Sequence, residues 1–466
     1  MERRQFLKAG CTAAAGLATH ACDSPSTSRP NLLYIMTDQH FAGALGCAGN
    51  PHVSTPNIDS LAAQGTMFEM AYCSQPICIP CRASMFTSRM PHEVGVPLNN
   101  SAMTKPMETW PNLGATLSAA GYDCAYTGKW HIPIPMDRTD IHGFSTIDCV
   151  ITSKSDEKDD DLPDACRKFL AQPRTQPFFL VASFMNPHDC CQVARGDALP
   201  MGAIPDPPPP EECPPLPDNF AIPKNEPEIL RHVTHNDPFV HPTWNWADGQ
   251  WRQYLWSYYR LVEKVDHEIG RLLQALRDSG HEDDTVIYFS ADHGDGAASH
   301  KWNQKQVLYD ESARVPCIIS WKGVTPPGRI DRKNPVSATL DLFPTLCDYA
   351  GIQPPEGLLG KSLRSFAEGR QPDNRRDYVV TETEFNKWQG KTFGFTGRMV
   401  RTTQYKYIVY SEGNHREQFF DMQTDPGEMH SLTRNPAYRD ELNQHRHLLA
   451  EWISTTNDTF NMTEPV

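Results

Sequence analysis

Four apolar runs, each closed by polar residues, constrain this chain most. The first, Asn31-Leu-Leu-Tyr-Ile-Met-Thr37, carries no charge and stops at Asp38; the others run from Phe178 to Phe184, from Thr285 to Ser290 and from Val315 to Ser320. Short continuous apolar runs without alternation are the pattern of strands buried on both faces, as in a central parallel sheet. Segments of helical periodicity separate them: Asn57 to Gln64, Asn112 to Ala120 before Gly121, and Trp251 to Leu276 before Gly280. Strands that alternate with helices predict an α/β fold, a large doubly wound, mixed and mostly parallel sheet flanked by helices. Ligands of such sheets gather at the carboxyl ends of the strands. The polar residues that follow the runs are therefore the candidates for chemistry.

Past about Asn374 the pattern changes to short strands, Tyr378 to Thr381, Gly397 to Arg401, Tyr405 to Tyr410 and Gln418 to Asp421, closed by a helix from Tyr438 to Ile453. A chain of 466 residues exceeds one typical domain. The expected organisation is a leader over 1–29, a main α/β unit over 30–373 and a C-terminal α+β subdomain over 374–466, with a short antiparallel sheet and a terminal helix. Within the main unit, residues 197–230 are proline-dense, with Asp206-Pro-Pro-Pro-Pro210 at the centre. Such a stretch predicts an extended, solvated surface insertion.

The leader carries Arg3-Arg4 followed by Phe6-Leu7-Lys8 and an Ala- and Gly-rich apolar stretch through Leu17. It resembles a twin-arginine export signal, which implies the twin-arginine translocase as a partner and a periplasmic, cell-surface or secreted bacterial location. Cys22 is a candidate lipid-attachment site and would be the only link to a membrane, since no apolar run is long enough to span a bilayer. A net charge of -14 excludes a nucleic-acid-binding surface, which needs clustered Lys and Arg. The spacing of the 14 cysteines does not form a disulfide framework, so few bridges are expected.

Six motifs carry the chemistry. Asp38-Gln39 and Asp292-His293-Gly294 each follow a predicted strand; two carboxylates delivered to one sheet edge repel unless a cation lies between them, so the four residues form a candidate metal site. Between them lies Cys78-Ile-Pro-Cys-Arg82, opening a short helix that places Arg82 one turn from Cys78. Gly128-Lys129-Trp130-His131 follows a further run, and alternation along an extended segment would point Lys129 and His131 the same way. Asn186-Pro187-His188 and His300-Lys-Trp-Asn-Gln-Lys305 complete the set.

In this order the motifs resemble those of type I, formylglycine-dependent sulfatases of the alkaline-phosphatase-like superfamily. Asn186-Pro-His-Asp-Cys190 and Arg416-Glu-Gln-Phe-Phe-Asp-Met422 are similar to segments of bacterial carbohydrate sulfatases of the glycosaminoglycan type. The resemblance implies that a formylglycine-generating or sulfatase-maturating enzyme reads Cys78, Pro80 and Arg82 and oxidises Cys78 to formylglycine, whose hydrate is the nucleophile. It implies one divalent cation held by Asp38, Gln39, Asp292, His293 and the modified residue 78. Calcium comes first; Gln39 and His293 stand where Asp and Asn are frequent, which keeps manganese and magnesium open. Arg82, Lys129, His188, His300 and Lys305 would bind the sulfated substrate, and Arg82 would also orient position 78. His131 would take the proton of the second hydroxyl as sulfate leaves. His188 would protonate the leaving oxygen, with Lys305 as competitor.

The implied reaction is hydrolysis of sulfate monoesters on a sulfated poly- or oligosaccharide with release of inorganic sulfate, the specific expectation being the uronate 2-O-sulfate of glycosaminoglycan fragments. Two alternatives stay open: a phosphonate monoester or phosphodiester hydrolase with the same site, and a non-catalytic protein that keeps the Cys78 thiol and binds sulfated glycans.

Overall fold

A computed structural model describes residues 29–152, 156–371, 375–385, 387–388, 391–392 and 394–462. The expected export signal and the candidate lipid site at Cys22 lie outside the described residues.

An eight-stranded sheet forms the centre, in the spatial order Thr146–Asp148, Asp123–Gly128, Phe178–Pro187, Asn31–Asp38, Thr285–Ala291, Cys317–Ser320, Thr66–Phe68, Arg329–Asp331. The first five strands are mutually parallel. The strand Cys317–Ser320 runs antiparallel to both its neighbours, which corrects its assignment to the parallel set: an apolar run records burial on both faces but not direction. The sheet is therefore mixed and mostly parallel.

Burial on both faces explains the unbroken apolar runs. Along Asn31–Asp38, Leu32, Tyr34 and Met36 join one core cluster, and Leu33 and Ile35 join the other, the two-residue period of a strand applied twice. The helices Cys78–Thr87, Leu113–Ala119 and Leu342–Tyr349 cover the first face. The second lies under Pro56–Gln64, Leu162–Leu170 and the long helix Asp248–Asp278. The proline-dense insertion runs over the surface with most of its residues exposed or half-buried, as expected, and is tied down at a few points: Arg252 donates to the carbonyls of Cys213 and Pro214, Gln253 to that of Pro208, and the buried Asn219 donates to Glu311 at 2.9 Å and to the Gly427 carbonyl at 3.2 Å. Polyproline segments leave their carbonyls free, and the long helix supplies the donors. Each of the twelve described cysteines is a free thiol.

The C-terminal segment forms a four-stranded antiparallel sheet, Tyr378–Glu384, Thr396–Thr402, Tyr405–Tyr410 and Glu417–Asp421, with the helix Arg439–Thr456 packed on it. Its first strand is stitched to the main unit. Thr381 Oγ1 donates to the Cys73 carbonyl at 2.7 Å, Glu382 N to the Ser74 carbonyl at 2.8 Å and Thr383 Oγ1 to the Gln306 carbonyl at 2.6 Å. The buried Lys406 reaches back to Asp310 at 2.9 Å and to Glu428 at 2.7 Å.

His92, just beyond the Cys78–Thr87 helix, pairs with Glu382 of this sheet at 2.6 Å, beside the Arg398–Asp458 pair. Burial would lower the His92 imidazole, but its hydrogen bond to Glu382 raises it above the ordinary value. A raised folded value means stability that is full below the unfolded pKa of about 6.5 and fades as pH rises through the folded one. The thermal midpoint of Glu382→Gln should thus fall below that of the unsubstituted protein in acid, with the gap closing as pH is raised. A gap that widens with pH, followed by calorimetry, would contradict this assignment.

Candidate active site

The helix Cys78–Thr87 begins where extended Ile77 ends, and all ten of its residues are buried. Pro80 sits in the first turn, where a missing N–H costs no helical bond. Cys78 occupies the N-terminal end of the helix, where the helix dipole favours negative charge. Arg82, four residues on, lies on the same face.

Neighbouring strand ends deliver the carboxylates. Asp38 closes Asn31–Asp38 and Asp292 follows Thr285–Ala291; Asp292 N donates to the Thr37 carbonyl at 3.3 Å, and Gln39 N to Asp292 Oδ1 at 3.2 Å. Arg82 lies between the two, with Nη2 at 2.8 Å from Asp38 Oδ2 and Nε at 2.9 Å from Asp292 Oδ2, all three side chains fully buried. Its Nη1 donates at 2.9 Å to the Lys129 carbonyl and at 2.9 Å to Ser183 Oγ. This corrects the expectation that Arg82 binds substrate: its hydrogen bonds point into the protein, and it binds the carboxylates instead. Burial and the Cys78 charge push Asp38 up, yet Lys129, His188 and Arg82 hold it well below the usual carboxylate range. Burial and then Asp38 raise Asp292.

The ligand atoms of Asp38, Cys78, Asp292 and His293 all lie within 4.8 Å of one another. His293 Nε2 is 3.2 Å from Cys78 Sγ and 3.6 Å from Asp292 Oδ1, while Nδ1 meets the Gly294 carbonyl at 2.9 Å. Against burial, Asp292 raises His293 to about 9. Gln39 turns its amide nitrogen to Asp295 at 2.7 Å and its oxygen to Lys305 at 3.0 Å.

Cations close the other side of Cys78. Lys305 Nζ is 3.1 Å and Lys129 Nζ 4.0 Å from Sγ, and Lys129 also meets Asp38 at 2.6 Å. Burial pushes the Cys78 thiol up, but Lys129, then Lys305 and His293, bring it well below its ordinary value. His131 lies against the thiol, with its own pKa lowered by burial and by Lys129. His188 Nε2 is 4.0 Å from Asp38 Oδ1 at the mouth, its side chain 19% exposed. Lys129 and His131 converge, but not by strand alternation. The strand ends at Gly128, whose φ of 91° and close approach to the Ser183 carbonyl exclude a Cβ, and His131 adopts a left-handed φ of 40°.

The structure thus brings Asp38, Gln39, Cys78, Arg82, Lys129, His131, His188, Asp292, His293 and Lys305 to one place and leaves His300 apart. His300 is fully buried, its ring 3.9 Å from that of Tyr309 and its Nε2 bonded to the Gly427 carbonyl at 2.9 Å. Sequence reasoning missed Asp295. Fully buried, it receives the Gln39 amide, the Tyr254 hydroxyl at 2.9 Å and the N–H groups of Ala297 and Gln304. Its place three residues after Asp292, in Asp-His-Gly-Asp, was the available signal.

The family described as Sulfatase matches residues 30–352, and the one described as N-sulphoglucosamine sulphohydrolase, C-terminal, matches 298–454. A Delta 4,5-hexuronate-2-O-sulfatase of Bacteroides thetaiotaomicron is 32% identical over 96% of this chain and 93% of its own length. The solved structure of a 2-O GAG sulfatase superposes with a TM-score of 0.82 at 31% identity, covering 94% of each chain. A phosphonate monoester hydrolase of Agrobacterium radiobacter shares the fold, with a TM-score of 0.74 at 23% identity over 92% of this chain and 96% of that one.

Removing Arg82 should take from two buried carboxylates the counter-charge they share, leaving Lys129 on Asp38 and His293 beside Asp292. Arg82→Met in metal-free protein is expected to lose about 3–5 kcal/mol of stability, part of it regained with calcium, as measured by urea unfolding. An unchanged midpoint would show that the carboxylates do not depend on the guanidinium.

Proposed function

The chain belongs to the sulfatase family and is a sulfuric ester hydrolase acting on glycans, and from that premise we propose that a formylglycine at position 78 and one divalent cation carry the reaction. The observation that carries this reading is the convergence of Lys129, Lys305 and His293 on Cys78 Sγ at a buried helix N-terminus, beside two carboxylates. That sulfur stands where the oxygens of an aldehyde hydrate would lie.

The donors present fit a divalent cation. Asp38, Asp292 and His293 are fully buried, and the Gln39 oxygen faces the same space because Asp295 holds the nitrogen. Oxygen donors suit calcium, the ion proposed here, and the single imidazole makes manganese the competitor. When bound, the ion and the hydrate supply an acidified hydroxyl nucleophile and Lewis-acid stabilisation of a sulfate oxygen. Lys129 and Lys305 neutralise the other oxygens as charge shifts during transfer. His131, its pKa lowered, is neutral near pH 7 and accepts at Nε2 the proton released as sulfate departs. His188, at the mouth, donates a proton to the leaving oxygen. Arg82 positions the carboxylates and touches no substrate.

The proposed substrate is the uronate 2-O-sulfate of a glycosaminoglycan fragment, supported by the two relatives of 2-O specificity that match nearly the whole chain. The phosphonate alternative rests on a likeness of fold alone, and the non-catalytic alternative has no disabled motif to recommend it. The reading includes maturation of Cys78 by a formylglycine-forming enzyme, export by the twin-arginine route to the periplasm or cell surface, with Cys22 as the only membrane attachment, and the domain limits 30–373 and 374–466. No described helix is long and apolar enough to cross a membrane.

Two experiments test this. Cys78→Ala should retain fold and metal binding while sulfate release from a 2-O-sulfated unsaturated uronate disaccharide falls at least about a thousandfold; near-unchanged turnover would remove the covalent mechanism. Exhaustive chelation should abolish sulfate release, and calcium should restore it better than manganese or magnesium. Activity that survives chelation would exclude the ion from the reaction.

A further inference from the structure

A lysine ends in a flexible four-carbon stem, yet Lys305 Nζ stands 3.1 Å from Cys78 Sγ and 3.0 Å from Gln39 Oε1. What fixes it leads back, bond by bond, to the long helix Asp248–Asp278. The Gln39 amide nitrogen donates to Asp295 Oδ2 at 2.7 Å, and the same oxygen accepts at 3.0 Å from the backbone N–H of Gln304, the residue before Lys305. Asp295 Oδ1 accepts from the Tyr254 hydroxyl at 2.9 Å. Four residues further along the helix, the Tyr258 hydroxyl donates to the Gln39 carbonyl at 2.8 Å and accepts from Phe41 N at 3.1 Å. At that spacing the two tyrosines share one helix face.

That face grips Gln39 twice, by its backbone through Tyr258 and by its side chain through Tyr254 and Asp295. The grip holds a strained residue in place. Gln39 adopts a left-handed φ of 63°, which a residue with a Cβ avoids unless its surroundings impose it. In this turn its N–H reaches Asp292 Oδ1 at 3.2 Å while its carbonyl meets Tyr258. The two tyrosines are buried in a cluster with Trp251, Leu255, Ala297 and Ala298. A hydroxyl in such surroundings cannot turn to water, so each keeps the partner it has. The hydroxyls bond to neither Cys78 nor Lys305 and reach them through Gln39 and Asp295.

We propose that Tyr254 and Tyr258 are positioning residues for sulfate transfer: they lock Gln39 in place and, through its amide oxygen, hold Lys305 against residue 78. This rests on the role given to Lys305 above. Tyr254→Phe and Tyr258→Phe keep the rings and remove only the hydroxyls. In sulfate release from a 2-O-sulfated unsaturated uronate disaccharide, each should lower kcat about tenfold with KM within about twofold. In a Lys305→Ala background the same substitutions should cost less than about twofold, because the group they position is gone. Tyr259→Phe is the control; its hydroxyl meets Asn50, and kcat should be kept. Equal losses with and without Lys305, a matching loss in Tyr259→Phe, or no loss at all would each overturn the proposal. Should the unsubstituted enzyme leave this disaccharide uncleaved, the uronate assignment fails, and crystal structures of the two Phe variants decide instead, as they do if Lys305→Ala is too slow to measure. Lys305 Nζ displaced from residue 78 by about 1 Å or more supports the positioning role; Lys305 unmoved in both variants overturns it.

Discussion

One guanidinium organises this protein. Arg82 holds Asp38, Asp292, Ser183 and the Lys129 carbonyl, groups that come from or follow the strands Asn31–Asp38, Thr285–Ala291, Phe178–Pro187 and Asp123–Gly128. These are four consecutive strands of the sheet, all parallel, so their carboxyl ends form one edge. A full charge buried at zero exposure costs several kcal/mol unless its hydrogen bonds are met, and the four contacts meet them only when the strand ends are in register. Cys78 sits one helical turn away, so the same geometry that satisfies Arg82 aims residue 78 at the carboxylates.

The C-terminal sheet extends that constraint. Its first strand bonds to Cys73 and Ser74 just before the Cys78 helix, and to Gln306 just after Lys305. The two segments that bring Cys78 Sγ and Lys305 Nζ within 3.1 Å are thus braced by one element. A buried cation next to a nucleophile is useful only if neither moves far, because misplacement by an ångström wastes most of the electrostatic stabilisation. The subdomain acts as part of the site's scaffold, although none of its described side chains is among those that meet at Cys78.

How much could be read in advance depended on whether a feature was local. The strand runs, the caps and the Cys-x-Pro-x-Arg order are local, and the structure contains the fold class they predicted. The direction of Cys317–Ser320 was not local, because pairing partners decide it. Arg82 was misjudged for a similar reason. A cation beside a proposed sulfate site is expected to face the anion, and only the spatial arrangement shows two carboxylates behind it. Lys129 and His131 converge through a turn at Gly128 that period-two reasoning cannot supply, and His300 is drawn away by Tyr309 and Gly427, partners distant in sequence. The proline-dense segment is largely solvated as read, but its anchors were not legible because Arg252 and Gln253 lie on a helix some forty residues on.

Asp295 explains the oddest letter in the metal motif. An amide stands at position 39 where a carboxylate is frequent, and the Gln39 nitrogen is 2.7 Å from the buried Asp295 carboxylate. A carboxylate at position 39 would face another at that distance with no cation between them, a repulsion the interior would amplify. The amide converts that contact into a hydrogen bond and leaves its oxygen to accept from Lys305. Tyr254 and two backbone N–H groups satisfy the rest of Asp295, whose pKa burial nevertheless raises. The pair is therefore one unit. Asp295 holds the Gln39 nitrogen, and the amide oxygen is thereby kept on Lys305, the cation beside Cys78.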